Sequence, residues 1–210
     1  MKKVLAILMF LFILTGCTKV NDLSYDDIVK TIGNKTLREN VYRTGYKYYL
    51  PRGMKVENAT LFNEVITSNN GVYYLYIDAV SYYNKVQKEY KVKNVYYSKN
   101  INYQDKFGYV EINLLKNDKY LIEIMYNYAK IEVIVEKGDI NISLLNAINI
   151  LKSINLNDAI ITNLLGSDVL NFAEEEFNIF NTTSSDSEYI KKDDTYQEEE
   201  QELPDTDLIN

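Results

Sequence analysis

Residues Phe107 to Glu136 alternate apolar and polar side chains, and this period of two leaves the chain few ways to fold. Val110, Ile112 and Leu114 fall on one face of a strand, with Tyr109, Glu111 and Asn113 on the other. Lys116-Asn117-Asp118-Lys119 supplies a turn. From Tyr120 to Tyr128 the same parity sets Ile122, Ile124 and Tyr126 against Glu123 and Asn127. Ala129-Lys130 turns or bulges the chain, and Ile131, Val133 and Val135 then alternate with Glu132 and Glu136. Successive strand residues point to opposite faces, so the pattern predicts an antiparallel meander with one dry face and one wet face. A dry face needs cover. Gly138-Asp139 ends the sheet, and Asp139 is placed to cap a helix. That helix carries Leu144, Ala147, Ile148, Leu151 and Ile154 along one side, with Asn146, Asn149 and Lys152 opposite.

Upstream, Ser24 reads as the cap of a helix starting at Tyr25, with Asp26 and Asp27 where negative charge suits the helix dipole. Ile28, Val29 and Ile32 form its apolar face, and Gly33 terminates it. Asn34 to Thr44 reads as loop with a little more helix. Gly45 to Leu50 is a tyrosine-rich strand stopped at the Pro51-Arg52-Gly53 turn. Leu61 to Thr67 and Val72 to Ser81 are strands joined through Ser68-Asn69-Asn70-Gly71, whose Asn-Gly step is a strong hairpin signal. Tyr82 to Lys93 is a basic connection, and Asn94 to Ile101 a further strand. The fold class expected is α+β: an antiparallel β-meander sheet with an N-terminal helix and a C-terminal helix packed on one face.

The Tyr49-Leu50-Pro51-Arg52-Gly53 segment, the meander and the closing Ala147-Ile148-Asn149-Ile150-Leu151-Lys152-Ser153-Ile154 helix resemble the Mog1/PsbP type of α/β domain, over roughly residues 40 to 156. That resemblance implies a strand ending at a proline turn, a last helix lying across the sheet, and an adaptor or assembly role rather than catalysis.

The first seventeen residues carry a different message. Lys2 and Lys3 precede eleven uninterrupted apolar residues, Val4 to Leu14. This run suits a signal-peptide core and falls short of the roughly 20 residues a spanning helix needs. Leu14-Thr15-Gly16-Cys17 follows, ending in the one cysteine of the chain. It resembles the lipobox of bacterial lipoprotein precursors, with Thr15 standing where Ala or Ser is more usual. The chain is also generally similar to small lipoproteins of low-GC bacteria. The lipobox resemblance implies diacylglyceryl attachment to the Cys17 thiol, cleavage between Gly16 and Cys17, and residence on the outer face of the cytoplasmic membrane. Two or more acyl chains exceed the reversible attachment given by one.

Charge then divides the remainder. Residues 18 to 155 hold 19 Lys+Arg against 15 Asp+Glu, whereas residues 156 to 210 hold 2 against 15. The expected organisation is a signal peptide (1–16), a lipidated tether (17–23), a globular domain (24–156), terminal helices (157–180) and an acidic disordered tail (181–210). In the fourth part Leu170, Ala173, Phe177 and Phe180 recur at helical spacing, either docked on the domain or offered to a partner.

Histidine is absent, so histidine-dependent nucleophile systems are excluded, and with one cysteine no internal disulfide can form. No P-loop, dinucleotide fingerprint or EF-hand spacing occurs, and neither a cofactor nor a metal site is expected. Export and acidic balance disfavour nucleic acid. The 20 tyrosines offer an amphipathic binding surface, with Tyr73, Tyr82, Tyr83, Tyr96, Tyr97 and Tyr109 as candidates, or else simply reflect strand propensity. The lysines at 85, 88, 91 and 93 either meet anionic headgroups and wall polymers or form a solvated loop. These features point to a membrane-anchored, non-enzymatic binding or assembly factor whose partner is an envelope protein or cell-wall polymer. The alternative is a surface hydrolase using paired carboxylates drawn from Glu111, Glu123 and Glu132, which requires convergence at about 5–10 Å and one raised pKa.

Overall fold

A computed structural model of the chain describes residues 20–87 and 89–166. The expected signal peptide, Gly16, Cys17, Lys88, the helix expected from Asp168 to Phe180 and the acidic tail lie outside the described residues.

The first element described is a 3-10 turn, Val20–Asp22, followed by helix α1, Tyr25–Lys30. Ser24 caps α1 by accepting from the Asp27 backbone N–H at 3.1 Å. Ile28 and Val29 are buried, and a 3-10 turn ends the helix at Gly33. Next come the short strands β1, Val41–Arg43, and β2, Tyr46–Tyr48. They form a hairpin around Gly45, whose φ of +93° is left-handed backbone that favours glycine. Sequence patterning leaves β1 within the Asn34–Thr44 loop, because Val41-Tyr42-Arg43 is short and not flanked by further strand-forming residues as β2 is.

Seven strands make the main sheet. In chain order they are β3 (Lys55–Ala59), β4 (Asn63–Ser68), β5 (Gly71–Ile77), β6 (Tyr97–Tyr103), β7 (Lys106–Leu114), β8 (Tyr120–Tyr126) and β9 (Ala129–Val135). Their spatial order is β3-β4-β5-β9-β8-β7-β6, antiparallel throughout. The fold is therefore α+β, but the sheet is not one meander. After β5 the chain enters helix α2, Ala79–Asn84, crosses to the far edge, and returns strand by strand until β9 closes against β5. Two meanders, of three and four strands, meet at that seam. The α2 helix falls where the Val72–Ser81 strand was expected to continue. Asp78 stops the strand at Ile77 and caps the helix, accepting from the Ser81 backbone N–H at 2.8 Å.

Register carries out what the alternation predicts. Ile112, Ile122 and Val133 stand opposite one another, as do Val110, Ile124 and Ile131, and all six have zero exposure. Helix α3, Ile140–Ser153, covers this face and buries Leu144, Ala147, Ile148 and Leu151. α1 packs beside α3. Strand β10, Asn155–Leu156, then pairs with β2, making a three-stranded sheet β1-β2-β10, and helix α4, Asp158–Leu165, packs on α2. Lys152, expected on the solvent side of α3, is 8 % exposed, and its Nζ donates to the Thr31 carbonyl at 3.1 Å. The turn after α1 covers that flank. Burial holds the Lys152 ammonium pKa below its ordinary value.

Candidate functional site

The outer face of the sheet, away from α1 and α3, gathers three acids. Glu111 on β7 stands opposite Glu123 on β8, and Glu123 opposite Glu132 on β9. With neighbouring strands about 4.8 Å apart, the three carboxylates form one row across the sheet. These are the residues the sequence offers as a carboxylate pair, but their surroundings depart from the wet face expected. Glu111 is 4 % exposed and Glu132 2 %, while Glu123 is half-buried. The cover over Glu111 comes from the connection after α2. Tyr90 stacks on Tyr109 with ring centroids 4.1 Å apart and planes 7° from parallel.

Each acid is treated differently. Glu111 accepts from Tyr90 Oη and from Asn113 Nδ2, both at 2.8 Å, and pairs with Lys93 Nζ at 3.0 Å. Burial pushes its pKa up, but the hydrogen bonds from Asn113, Lys93 and Tyr90 outweigh that and hold it below the usual carboxylate range. Glu123 accepts from Tyr109 Oη. Burial, and then the Glu123 charge, raise the Tyr109 phenol; burial and the Glu111 contact push Tyr90 up to about 12. Both phenols therefore stay protonated donors near neutral pH. Glu132 has the Lys130 ammonium 3.0 Å from Oε1, yet neither of its oxygens accepts a hydrogen bond. Burial first, and then the facing Glu123, raise the Glu132 pKa against the pull of Lys130. Protonated, Glu132 has a hydrogen to give to Glu123 opposite.

Another buried acid escapes the sequence reading. Glu64 on β4 faces the helices, 2 % exposed, and receives Arg43 Nε and Nη2 at 3.1 and 3.0 Å and the Tyr46 and Tyr48 hydroxyls at 2.8 Å each. Burial pushes both phenols up, with the Glu64 charge and hydrogen bond adding to it. Four donors on one carboxylate tie the small sheet to the main one. A signal did exist: Glu64 has the parity of Ile66, so period two already turns it inward.

The six candidate tyrosines do not share a surface. Tyr73 has zero exposure and lies in the core on β5, opposite Val133, which removes it from any binding face. Tyr82 and Tyr83 lie on α2, where Tyr82 meets Tyr128 edge-on at 5.5 Å under the Lys85 ammonium. Tyr96 and Tyr97 surround Tyr25, and the Tyr97 hydroxyl donates to Asp26 at 3.0 Å. Tyr109 belongs to the glutamate row. Of the basic run, Lys93 is taken by Glu111 and Lys85 sits 3.4 Å from Asp158. An open cleft of about 360 Å3 lies at the end of α3, lined in part by Glu39, Tyr82, Lys106, Asn127 and Lys152. Among the described residues no group of three or more Asp, Glu or Cys side chains is arranged to hold a metal ion, and no helix is long and apolar enough to cross a membrane.

No protein-family model matches the chain, and no curated protein does. Among solved structures it is similar to a GTP binding regulator from Thermotoga maritima, at 11 % identity and a TM-score of 0.24, over 63 % of this chain and 91 % of that one.

Proposed function

We propose that this chain is a lipoprotein, held on the outer face of the cytoplasmic membrane by diacylglyceryl-modified Cys17. Its α+β body would act there as a non-enzymatic binding or assembly factor for an envelope protein or cell-wall polymer. The observation that carries the anchor is the run from Lys2 to Cys17: a basic flank, an apolar core of signal-peptide length, and Leu14-Thr15-Gly16 directly before a lone cysteine. The resemblance of Tyr49–Gly53 and the closing helix to Mog1/PsbP-type domains supports the assembly role. So does the way Tyr90, Asn113 and Lys93 occupy Glu111, and Tyr109 occupies Glu123. Cys17→Ser is expected to abolish labelling by a fatty-acid analogue and leave an uncleaved precursor; undiminished labelling refutes the anchor. Cross-linking on intact membranes identifies the partner.

One observation favours a second reading, a carboxylate-based hydrolase of surface glycans. Glu123 and Glu132 face each other across adjacent strands, and the pKa of Glu132 is raised. That pairs a carboxylate with an acid able to stay protonated, one of the two conditions that glycosidic bond cleavage sets; the other is room for the substrate between them. Release of reducing ends from purified wall glycan by the full chain, lost in Glu132→Gln, would establish it.

A further inference from the structure

The lipid anchor, if Cys17 bears it, fixes which end of the body meets the membrane. This orientation rests on the lipoprotein reading. Asn141, one residue into α3, donates from Nδ2 to the carbonyl oxygens of Val20, Asn21 and Leu23 at 3.1, 3.3 and 2.8 Å. The start of the described chain is thereby held against the start of α3. Three residue steps separate Val20 from Cys17. Even fully extended they span at most about 11 Å, so the acylated residue cannot move far from the Asn141 end.

What lies at that end follows from topology. α3 begins directly after β9, so its start shares an end of the sheet with the β4–β5 turn and the β7–β8 turn. Two contacts hold this together: Asn70 Nδ2 donates to Asp139 Oδ1 at 2.6 Å, and Lys119 Nζ lies 3.6 Å from Glu136. Asn69, Lys116, Lys119 and Lys137 are exposed there, together with Asp118 and Glu136, so it is the tether and not charge that selects this end. The opposite end carries the β6–β7 turn at Asp105, the β8–β9 turn at Asn127 and the end of α3. The nine residues of β7 make the sheet about 30 Å long.

We propose that the end of the sheet formed by the Ser68–Gly71, Lys116–Lys119 and Lys137–Asp139 turns rests on the lipid headgroups, so that the strands stand upright. The partner of this surface is the bilayer itself. The Asp105 and Asn127 turns and the cleft beside Tyr82 and Lys152 then face away from it, towards whatever the protein binds. A tether of some tens of residues would let the body tumble; one of three steps, pinned by Asn141, does not.

The test uses the full acylated chain in vesicles of phosphatidylethanolamine and phosphatidylglycerol that carry a quencher at the headgroup. With Cys17 acylated, introduced cysteines take a fluorophore singly. Asn69→Cys and Lys137→Cys adducts are expected to be quenched severalfold more than an Asp105→Cys adduct. Adding Asn141→Ala should narrow that contrast while leaving acylation intact. Equal quenching at both ends, or stronger quenching at Asp105, overturns the orientation. The mass of the Cys17 peptide is measured in the same sample, and an unacylated Cys17 refutes the lipoprotein reading instead. In that event coupling Cys17 to a maleimide lipid in vitro still decides the orientation.

Discussion

Two buried polar side chains sit in this body at a cost that substitution exposes. Tyr73 is fully buried and its hydroxyl has no hydrogen-bond partner. An unsatisfied buried hydroxyl costs about 1–3 kcal/mol, and phenylalanine keeps the ring. Tyr73→Phe should therefore raise the urea midpoint; a fall would mean that the hydroxyl does find a partner in solution. Glu132 gives a pH-dependent counterpart. Its pKa is raised in the fold, mainly by burial. A group shifted in that direction contributes its stability below its unfolded pKa and loses it as pH rises through the folded value. Glu132→Gln removes the charge that must otherwise be buried. The variant should therefore melt higher than the parent at pH 7.5 and no higher at pH 4, as read by circular dichroism. Glu111, shifted the other way, works in the opposite sense: its contribution is present above the unfolded pKa and fades on acidification.

At the scale of elements, the sheet depends on α3, and the two sides of that helix differ less than its sequence implies. Leu151 is 1 % exposed against the dry face. Truncating such a residue costs about 2–5 kcal/mol. Lys152 is also buried, its stem covered by the turn after α1 and its ammonium on Thr31. Leu151→Ala should lower the melting temperature strongly, and Lys152→Ala should lower it by a smaller but measurable amount. A silent Lys152→Ala would mean that the Thr31 turn is not held by this contact. Legible in the sequence were β7, β8, β9 and α3 by their period, β2, β4, β5 and β6 by their β-branched and tyrosine-rich runs, and Ser24 and the Asn70-Gly71 hairpin by local chemistry. What stayed hidden is of two kinds. β1 and β10, of three and two residues, exist only because tertiary partners hold them. β3 is mostly exposed and polar, Lys-Val-Glu-Asn-Ala, with no alternation to read. The glutamates were legible as a parity but not as a row, since period two fixes the face of each and cross-strand register alone sets them opposite one another. Their burial was illegible for a further reason. Tyr90 and Lys93 reach β7 from a connection whose path the sequence does not specify.

For the whole molecule, the decisive junction is the seam between β5 and β9. All other neighbours in the main sheet are joined by a hairpin, whereas this pair closes a connection of more than fifty residues. Non-local pairing has to offset its loop closure before it is rewarded. The seam does so by burial: Tyr73 meets Val133, Leu75 meets Ile131 and Ile77 meets Ala129, all within the core that α3 covers. Because both meanders feed one core, they should open together. Amides of β4 and β8 are therefore expected to exchange at one common free energy in native-state hydrogen exchange. Ile131→Ala, a truncation at the seam worth about 2–5 kcal/mol, should lower protection in both strands by the same amount. If β4 loses protection and β8 keeps it, the three-stranded meander is a separate unit docked on a self-sufficient four-stranded one. The Glu64 network, which ties β4 to the small sheet, would then belong to the part that opens first.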